Sequence, residues 1–600
     1  MSLTMVFEKE LGLEIADIFN NIFGTAVETD KLVFQATRKE FPGDLTLVVF
    51  NLSKSAGKKP DEVGEAIGTA LVASGKWASG YNVVKGFLNI EIKPELWVER
   101  FYNSLELTSS KISTGKHILV EYSSPNTNKP LHLGHMRNNL LGYAVGEILK
   151  LNGNKVTKVN IINDRGIHIC KSMLAWKLFG NGETPKSSGM KGDHLVGKYY
   201  VEFDKHYKLE VEELVAGGMD KDKAEKDAPL MVQARNMLQD WEAGDAETLD
   251  LWRLMNSWVY EGFDITYKRL GVDFDKLYYE SETYILGKQI VEDGLQKGVF
   301  YRRPDNSVWV DLRGEGLDEK LLLRSDGTSV YMTQDLGTAV KRHEDFGFDS
   351  MVYVVGNEQD YHFKVLFLIL AKLGYDWASR LYHLSYNMVD LPSGKMKSRE
   401  GTVVDADDLM DEMSVEAEKI TRELGKLQNP DSPESKVLYN QIGMGALKYF
   451  LLKVDPEKRM LFDPNESIDF NGNTGPFIQY THARIKSVLR KADTMNGYGD
   501  YSNFQKPDGC SLNDKERELV KTILAFDEIA RDAAHKLSPA VIANYVYDLA
   551  KSFNQFYHDN VIVDVEQPLT SKLRLHLCHK TAAVIALALS LLGIHAPEQM

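Results

Sequence analysis

The four residues His132-Leu-Gly-His135 concentrate the most chemistry in this 600-residue chain. Two imidazoles three positions apart share one face when they stand at the start of a helix. The free N–H groups and the positive dipole end of that helix point the same way. Gly134 lets a flat ring approach the backbone, and Lys129 adds a cation just upstream. Such a turn suits a nucleoside triphosphate. A second stretch, Lys395-Met-Lys-Ser-Arg-Glu-Gly401, follows the turn Leu391-Pro-Ser-Gly394. A Lys- and Ser-rich loop flanked by Gly can close on transferring phosphates and offset the charge that develops as pyrophosphate leaves. Alone, each has a plainer reading, two surface histidines or a solvated basic loop. Their setting decides.

That setting is a βαβ unit. His117–Tyr122 is a short apolar run of the kind expected for a buried parallel strand. A turn-rich stretch and a helical pattern over 134–151 follow, stopped by Asn152-Gly153, and Lys155–Ile162 is the next strand. The histidines therefore fall at the end of the first strand, where α/β sheets bind ligands. Residues 307–311, 350–355 and 386–390 read as further strands, completing the second half of one parallel sheet. Residues 180–265 are charged and helical and read as an insertion. Before the sheet, 1–112 reads as an α+β module, with strand composition at 45–50 and 83–92 and a polar linker at 108–115. After about 430 apolar residues recur at helical steps, which predicts an all-α bundle. The expected division is 1–112, a Rossmann-like 113–430, and 431–600.

Around these pieces the sequence resembles the arginyl-tRNA synthetases, a class I aminoacyl-tRNA synthetase family. His132–His135 resembles the class motif HIGH, and 395–401 its KMSKS loop. The run 121–138, then Asn163-Asp-Arg-Gly166, Tyr331-Met-Thr-Gln-Asp335, Val354–Asp360 and Gln479–Arg484 all match the family pattern. The resemblance spans about 115–600, and is looser before that, through Phe41-Pro-Gly-Asp44 and Gly86-Phe-Leu-Asn89. It implies that Glu121, Tyr331 and Asp335 bind the substrate guanidinium, for which carboxylates are the natural fork partner. It implies that Asn126 and Gln359 hold the α-amino end. In KMSKS the second lysine matters, and here Ser398 stands in its place. In relatives with that loss a lysine just before the HIGH segment is thought to substitute, which singles out Lys129 beside Lys395 and leaves Lys397 open. ATP would then meet Lys129, His132, Gly134, His135 and Lys395, with adenine against the backbone of Met388 and Val389. ATP with Mg2+ is the implied co-substrate. The implied reaction forms arginyl-adenylate and passes the arginyl group to the terminal ribose of tRNA(Arg). Phosphate contacts would come from Arg484, Lys486, Arg490 and Lys491, and faces for unstacked bases from Tyr557 and His558.

Composition agrees. A net charge of −15 excludes a polybasic nucleic-acid binder of the histone type, though not a local basic patch. Cys170, Cys510 and Cys578 stand far apart with no CxxC, so neither a disulfide framework nor protein-bound zinc is expected, and no residue is singled out as a metal ligand. The longest apolar run, 582–594, falls short of the roughly 20 residues that span a bilayer. A cytoplasmic monomer without membrane contact is expected. Gly192–Lys198 nearly spells a P-loop, but Tyr199 replaces the Ser or Thr and no clear strand precedes it.

Overall fold

The computed structural model describes residues 7–38, 40–103, 113–390, 404–425, 427, 429–495, 497–499 and 511–600. The basic stretch with Lys395 and Lys397, most of the 108–115 linker and Cys510 lie outside them.

The first module carries strands β1 (Val33–Ala36), β2 (Leu45–Val48), β3 (Ala78–Val84) and β4 (Phe87–Ile92), an antiparallel sheet in the order β1-β2-β4-β3. Two expectations change here. The run 45–50 ends at Val48, because Val49 turns the chain and its carbonyl accepts the Ser53 N–H at 2.8 Å, starting the helix Phe50–Ala56. The run 83–92 is two strands of one hairpin. Lys85 (φ 49°) and Gly86 (φ 79°) reverse the chain between them with the left-handed residue pair that matches strand twist.

The catalytic sheet is parallel. Its strands are β5 (His117–Glu121), β6 (Lys155–Ile162), β7 (Lys276–Tyr279), β11 (Ser350–Gly356) and β12 (Leu381–Tyr386), ordered β12-β11-β5-β6-β7. Every residue of β5 is buried, as its unbroken apolar character requires. The chain runs from β5 outward to β7, then returns to the other side of β5 for β11. That reversal opens a crevice at the carboxyl ends of β5 and β11. Between β7 and β11 lie β8 (Phe300–Arg302), β9 (Val308–Val310) and β10 (Lys320–Leu323), a separate antiparallel sheet. So 307–311 does not join the parallel sheet. Its partners, three and four residues long, carry too little pattern to be recognised, and composition alone does not say which sheet a strand joins. The run 386–390 also divides. Tyr386 ends β12, Asn387 donates its N–H to Pro456 O, and β13 (Val389–Asp390) pairs with β14 (Met460–Leu461).

Helices Gly192–Ala216, Pro229–Ala243 and Ala246–Leu270 dominate the insertion, and among the described residues eight helices from Ala406 to Leu591 pack the C-terminal region. The Gly192–Lys198 look-alike is the first two turns of one of these helices. The first module touches the C-terminal helices directly. Lys521 Nζ lies 2.5 Å from Asp44 Oδ1, and Tyr102 stacks on His576 with ring centres 4.9 Å apart.

Candidate active site

The histidine turn is built by the loop leaving β5. Ser123 takes a left-handed conformation (φ 66°) and donates its N–H to Asn138 Oδ1, while Asn138 Nδ2 donates to Val354 O on β11. The loop is thereby fastened across the crevice. His132 is the N-cap of the helix Leu133–Leu151: its Nδ1 accepts the Gly134 N–H at 3.1 Å, and His135 Nδ1 accepts the His132 N–H at 3.1 Å. The expectation of free amides needs correcting. Gly134 N–H is used by His132, and Leu133 N–H is donated to Val404 O. What the turn offers instead is its rings. Because both Nδ1 atoms accept, both rings carry their proton on Nε2. Burial, with Lys129 adding to it, lowers His132 to about 3, and burial with His132 and Lys129 pushes His135 well below the ordinary imidazole value. Two neutral N–H donors therefore face outward, able to bind phosphate oxygen without titrating near neutrality.

A Cβ on Gly134 would stand 3.0 Å from the His132 ring and 3.5 Å from Met388 Cε, so the missing side chain leaves a slot beside Met388. Met388 is exposed and Val389 buried. Lys129 and His132 line a cavity of about 250 Å³ with His194, Lys198 and Asp405. Beside it, ligand atoms of Asp193, His194 and Asp407 gather within 4.8 Å of one another. The cations among them are the Lys191 ammonium, 3.2 Å from Asp193 and in contact with Asp407, and the Arg269 guanidinium, 3.0 Å from Asp407.

A larger cavity, about 700 Å³, opens at the carboxyl ends of β6 and β7. Asn126, Tyr331 and Asp335 line it, the last two from one face of the helix Tyr331–Phe346. Tyr331 is 76% exposed and forms the wall. Asp335 Oδ2 lies 2.6 Å from His362 Nε2.

Two predicted partners stand elsewhere. The Glu121 carboxylate is buried and paired with the buried Arg342 guanidinium, so it lies below the cavity floor rather than in its lining. Burial drives it upward and Arg342 opposes that rise. Gln359 is exposed on the turn after β11 and does not line the cavity. The acid that does line the cavity beside Asp335 is Glu280. It follows β7 directly, and its carboxylate makes no hydrogen bond or ion pair with the described residues. Burial first, with Asp164 and Asp335 adding to it, raises it to about 7, against the pull of Arg165. The available signal was an acid ending a strand, but the exposed run Lys276-Leu277 hides β7 from a composition reading.

In the C-terminal helices Arg484 donates to Asn554 Oδ1 at 2.5 Å and lies 5.6 Å from the Tyr557 ring centre. Lys486 lies 2.8 Å from the Glu598 carboxylate, and Arg490 donates to the Glu598 carbonyl at 3.0 Å. Tyr557 is part exposed, His558 is exposed, and Phe553 and Phe556 are core.

The comparisons agree with this architecture. Residues 100–463 match the family model "tRNA synthetases class I (R), catalytic domain", and 478–600 match "DALR anticodon binding domain". The chain is 54% identical to the arginine--tRNA ligase of Flavobacterium psychrophilum over 612 residues, covering 99% of this chain and 100% of that one. It is 53% identical to that of Bacteroides thetaiotaomicron, again covering 99% of this chain and 100% of the relative. Among solved structures it is similar to the Thermus thermophilus arginyl-tRNA synthetase, with a TM-score of 0.78 and 25% identity, covering 99% of this chain and 100% of that one.

Proposed function

This chain belongs to the class I arginyl-tRNA synthetases, and on that premise we propose the division of labour in its site. The reaction is aminoacylation, in which ATP activates arginine and the arginyl group passes to tRNA(Arg). The observation that carries the site reading is the pair of acids, Glu280 and Asp335, lining one cavity at the carboxyl ends of β6 and β7. A guanidinium needs carboxylates in a fork, and the Glu280 carboxylate has no hydrogen-bond or ion-pair partner among the described residues. Asp335 and Glu280 take the guanidinium, Tyr331 covers it, and Asn126 holds the α-amino end. A neutral analogue such as citrulline leaves those acids unpaired and is strongly rejected.

Arginine's carboxylate attacks the α-phosphate of ATP, which arrives with Mg2+ held mainly by its own phosphates. His132 and His135 donate Nε2–H to phosphate oxygen, and Lys129 and Lys395 meet the charge on the leaving pyrophosphate. The adenine ring takes the slot between Gly134 and the Met388–Val389 backbone. The 2'-hydroxyl of the tRNA's terminal ribose then attacks the arginyl carbonyl, the anhydride bond to the adenylate breaks, and AMP leaves. Arg484, Tyr557 and His558 receive the anticodon arm. We assign 1–112 to an additional tRNA-contacting domain, 113–430 to catalysis and 431–600 to anticodon binding. The first module's sheet supports its part, with a cavity of about 200 Å³ lined by Arg38, Lys85, Phe41, Phe87 and Asn89. The protein works as a cytoplasmic monomer without structural zinc. No helix among the described residues is long and apolar enough to cross a membrane.

The test is arginine-dependent ATP–pyrophosphate exchange with and without tRNA(Arg), for the wild type and Asp335→Ala. Exchange abolished by the substitution in a folded protein supports the pocket. Undiminished exchange in Asp335→Ala overturns it.

A further inference from the structure

Arg165 is the one cation in the wall of the large cavity that is both nearly buried and immobilised. Its side chain is 10% exposed, its Nη2 donates to Glu242 Oε1 at 2.8 Å, and its guanidinium lies 3.8 Å from the Tyr284 ring centre and 5.1 Å from that of Trp241. Tyr284 closes the short segment that begins with Glu280, and Glu242 and Trp241 come from the insertion helix Pro229–Ala243. Arg165 is therefore clamped between the catalytic sheet and the insertion. It makes no hydrogen bond to Glu280, although both residues line the same space.

That placement has a consequence for a site that must bind a guanidinium. A free arginine beside Glu280 would pair with it and block the substrate. A cavity lined by Glu280 and Asp335, with the buried Asp164 close behind, and with no fixed cation would drive a proton onto one of the acids, since like charges in a partly desolvated space cannot all stay ionised. Arg165 avoids both outcomes. Its Nη2 is committed to Glu242 and its face to Tyr284 and Trp241, while its Nε is buried without an acceptor among the described residues; with no hydrogen bond to Glu280, it acts on that carboxylate through space.

We propose that Arg165 is a positioning residue for arginine capture, a caged guanidinium that keeps Glu280 anionic while being held back from occupying the substrate's place. This rests on reading the large cavity as the arginine pocket. The remaining charged groups facing Glu280 do not substitute. Lys288 and Arg324 line the cavity but are exposed, so solvent screens them. Glu242 is neutralised by Arg165 itself. Asp335 and Asp164 add negative charge, though Asp164 is tied by Ser281 and Tyr260 and Asp335 by His362. His168 also lines the space, with Nδ1 3.1 Å from the Tyr200 hydroxyl.

The experiment is equilibrium binding of L-arginine by calorimetry, from pH 6 to 9, for the wild type, Arg165→Gln and Arg165→Lys, with kcat followed in exchange assays. Glu280 sits near 7 in the folded protein, so wild-type affinity falls as pH drops through that value. Removing Arg165 moves the fall to higher pH. If the move is about one unit, the ionised fraction at pH 7 drops from about one half to about one in eleven, an affinity loss of about fivefold. The loss should fade towards pH 9, be largely rescued in Arg165→Lys, and leave kcat at saturating arginine within about twofold. An affinity ratio independent of pH, or a loss confined to kcat, overturns the proposal, because a merely structural role gives those results. If Arg165→Gln does not fold, Glu242→Gln carries the test: it frees the guanidinium to pair with Glu280, so arginine affinity should fall by about fivefold or more across the pH range, and unchanged affinity overturns the proposal. Failure of the wild type to bind arginine at all sinks the pocket reading instead, which keeps the two failures distinct.

Discussion

Glu121→Gln separates two roles for one carboxylate. The family resemblance gives Glu121 to the substrate, whereas the fold gives it to Arg342. Both side chains are at most 7% exposed. Arg342 Nε and Nη2 already lack acceptors, and its remaining neighbours are the Tyr278 and Tyr353 rings at 5.0 and 5.9 Å. Converting the carboxylate to an amide leaves a buried guanidinium without a counter-charge. Breaking a buried pair in this way costs about 3–5 kcal/mol. If the catalytic region unfolds as a unit, that lowers its transition on the order of 10 °C. The expected result is a large loss in thermal stability with arginine affinity, measured by calorimetry below the transition, changed less than about tenfold. The assay pairs a melting curve with that titration. Stability within about 1 kcal/mol of wild type together with a hundredfold loss of arginine affinity would refute the assignment and return Glu121 to the substrate.

Three further outcomes follow from particular contacts. His132 is held neutral at about 3 in the folded protein, below its unfolded value near 6.5, so its contribution is full above 6.5 and is lost as pH falls towards 3. His132→Asn should therefore show a shallower loss of urea stability between pH 6 and 4, by up to about 1.4 kcal/mol per pH unit, and equal slopes would count against the buried neutral ring. Lys521→Met removes the ammonium that joins Asp44 to the C-terminal helices; limited proteolysis should then release the first module faster, and an unchanged digestion pattern would show that the Tyr102–His576 stack suffices. Tyr557→Ala removes a part-exposed ring beside Arg484; if it stacks on an anticodon base, the KM for tRNA should rise about 5- to 150-fold, from about 1–3 kcal/mol per stacked base, with arginine affinity unmoved.

The sequence by itself determined the βαβ unit, the histidine turn at its first crossover, the helical insertion and the helical C-terminal region. Each is written locally. A buried parallel strand is an unbroken apolar run, a helix start is a cap followed by a period of 3.6, and both are visible within about twenty residues. Tyr331 and Asp335 were singled out by the family resemblance, and their spacing of four gives them a shared face once the helix exists. What only the tertiary structure decided is which charges meet. Glu121 and Arg342 are 221 positions apart, and nothing local marks them as a pair. Glu280 and Arg165 share a wall only after β6 and β7 align, and Glu598 reaches Lys486 only because the last residues fold back onto the helix Gly475–Asp493. The same contacts decide protonation. Imidazoles that look cationic in the sequence are neutral because burial and Lys129 disfavour the charge. Local pattern determines where the elements run, whereas long-range packing determines which ionisable groups lose water and beside what, and that selects the binding groups from the candidates the motifs supply.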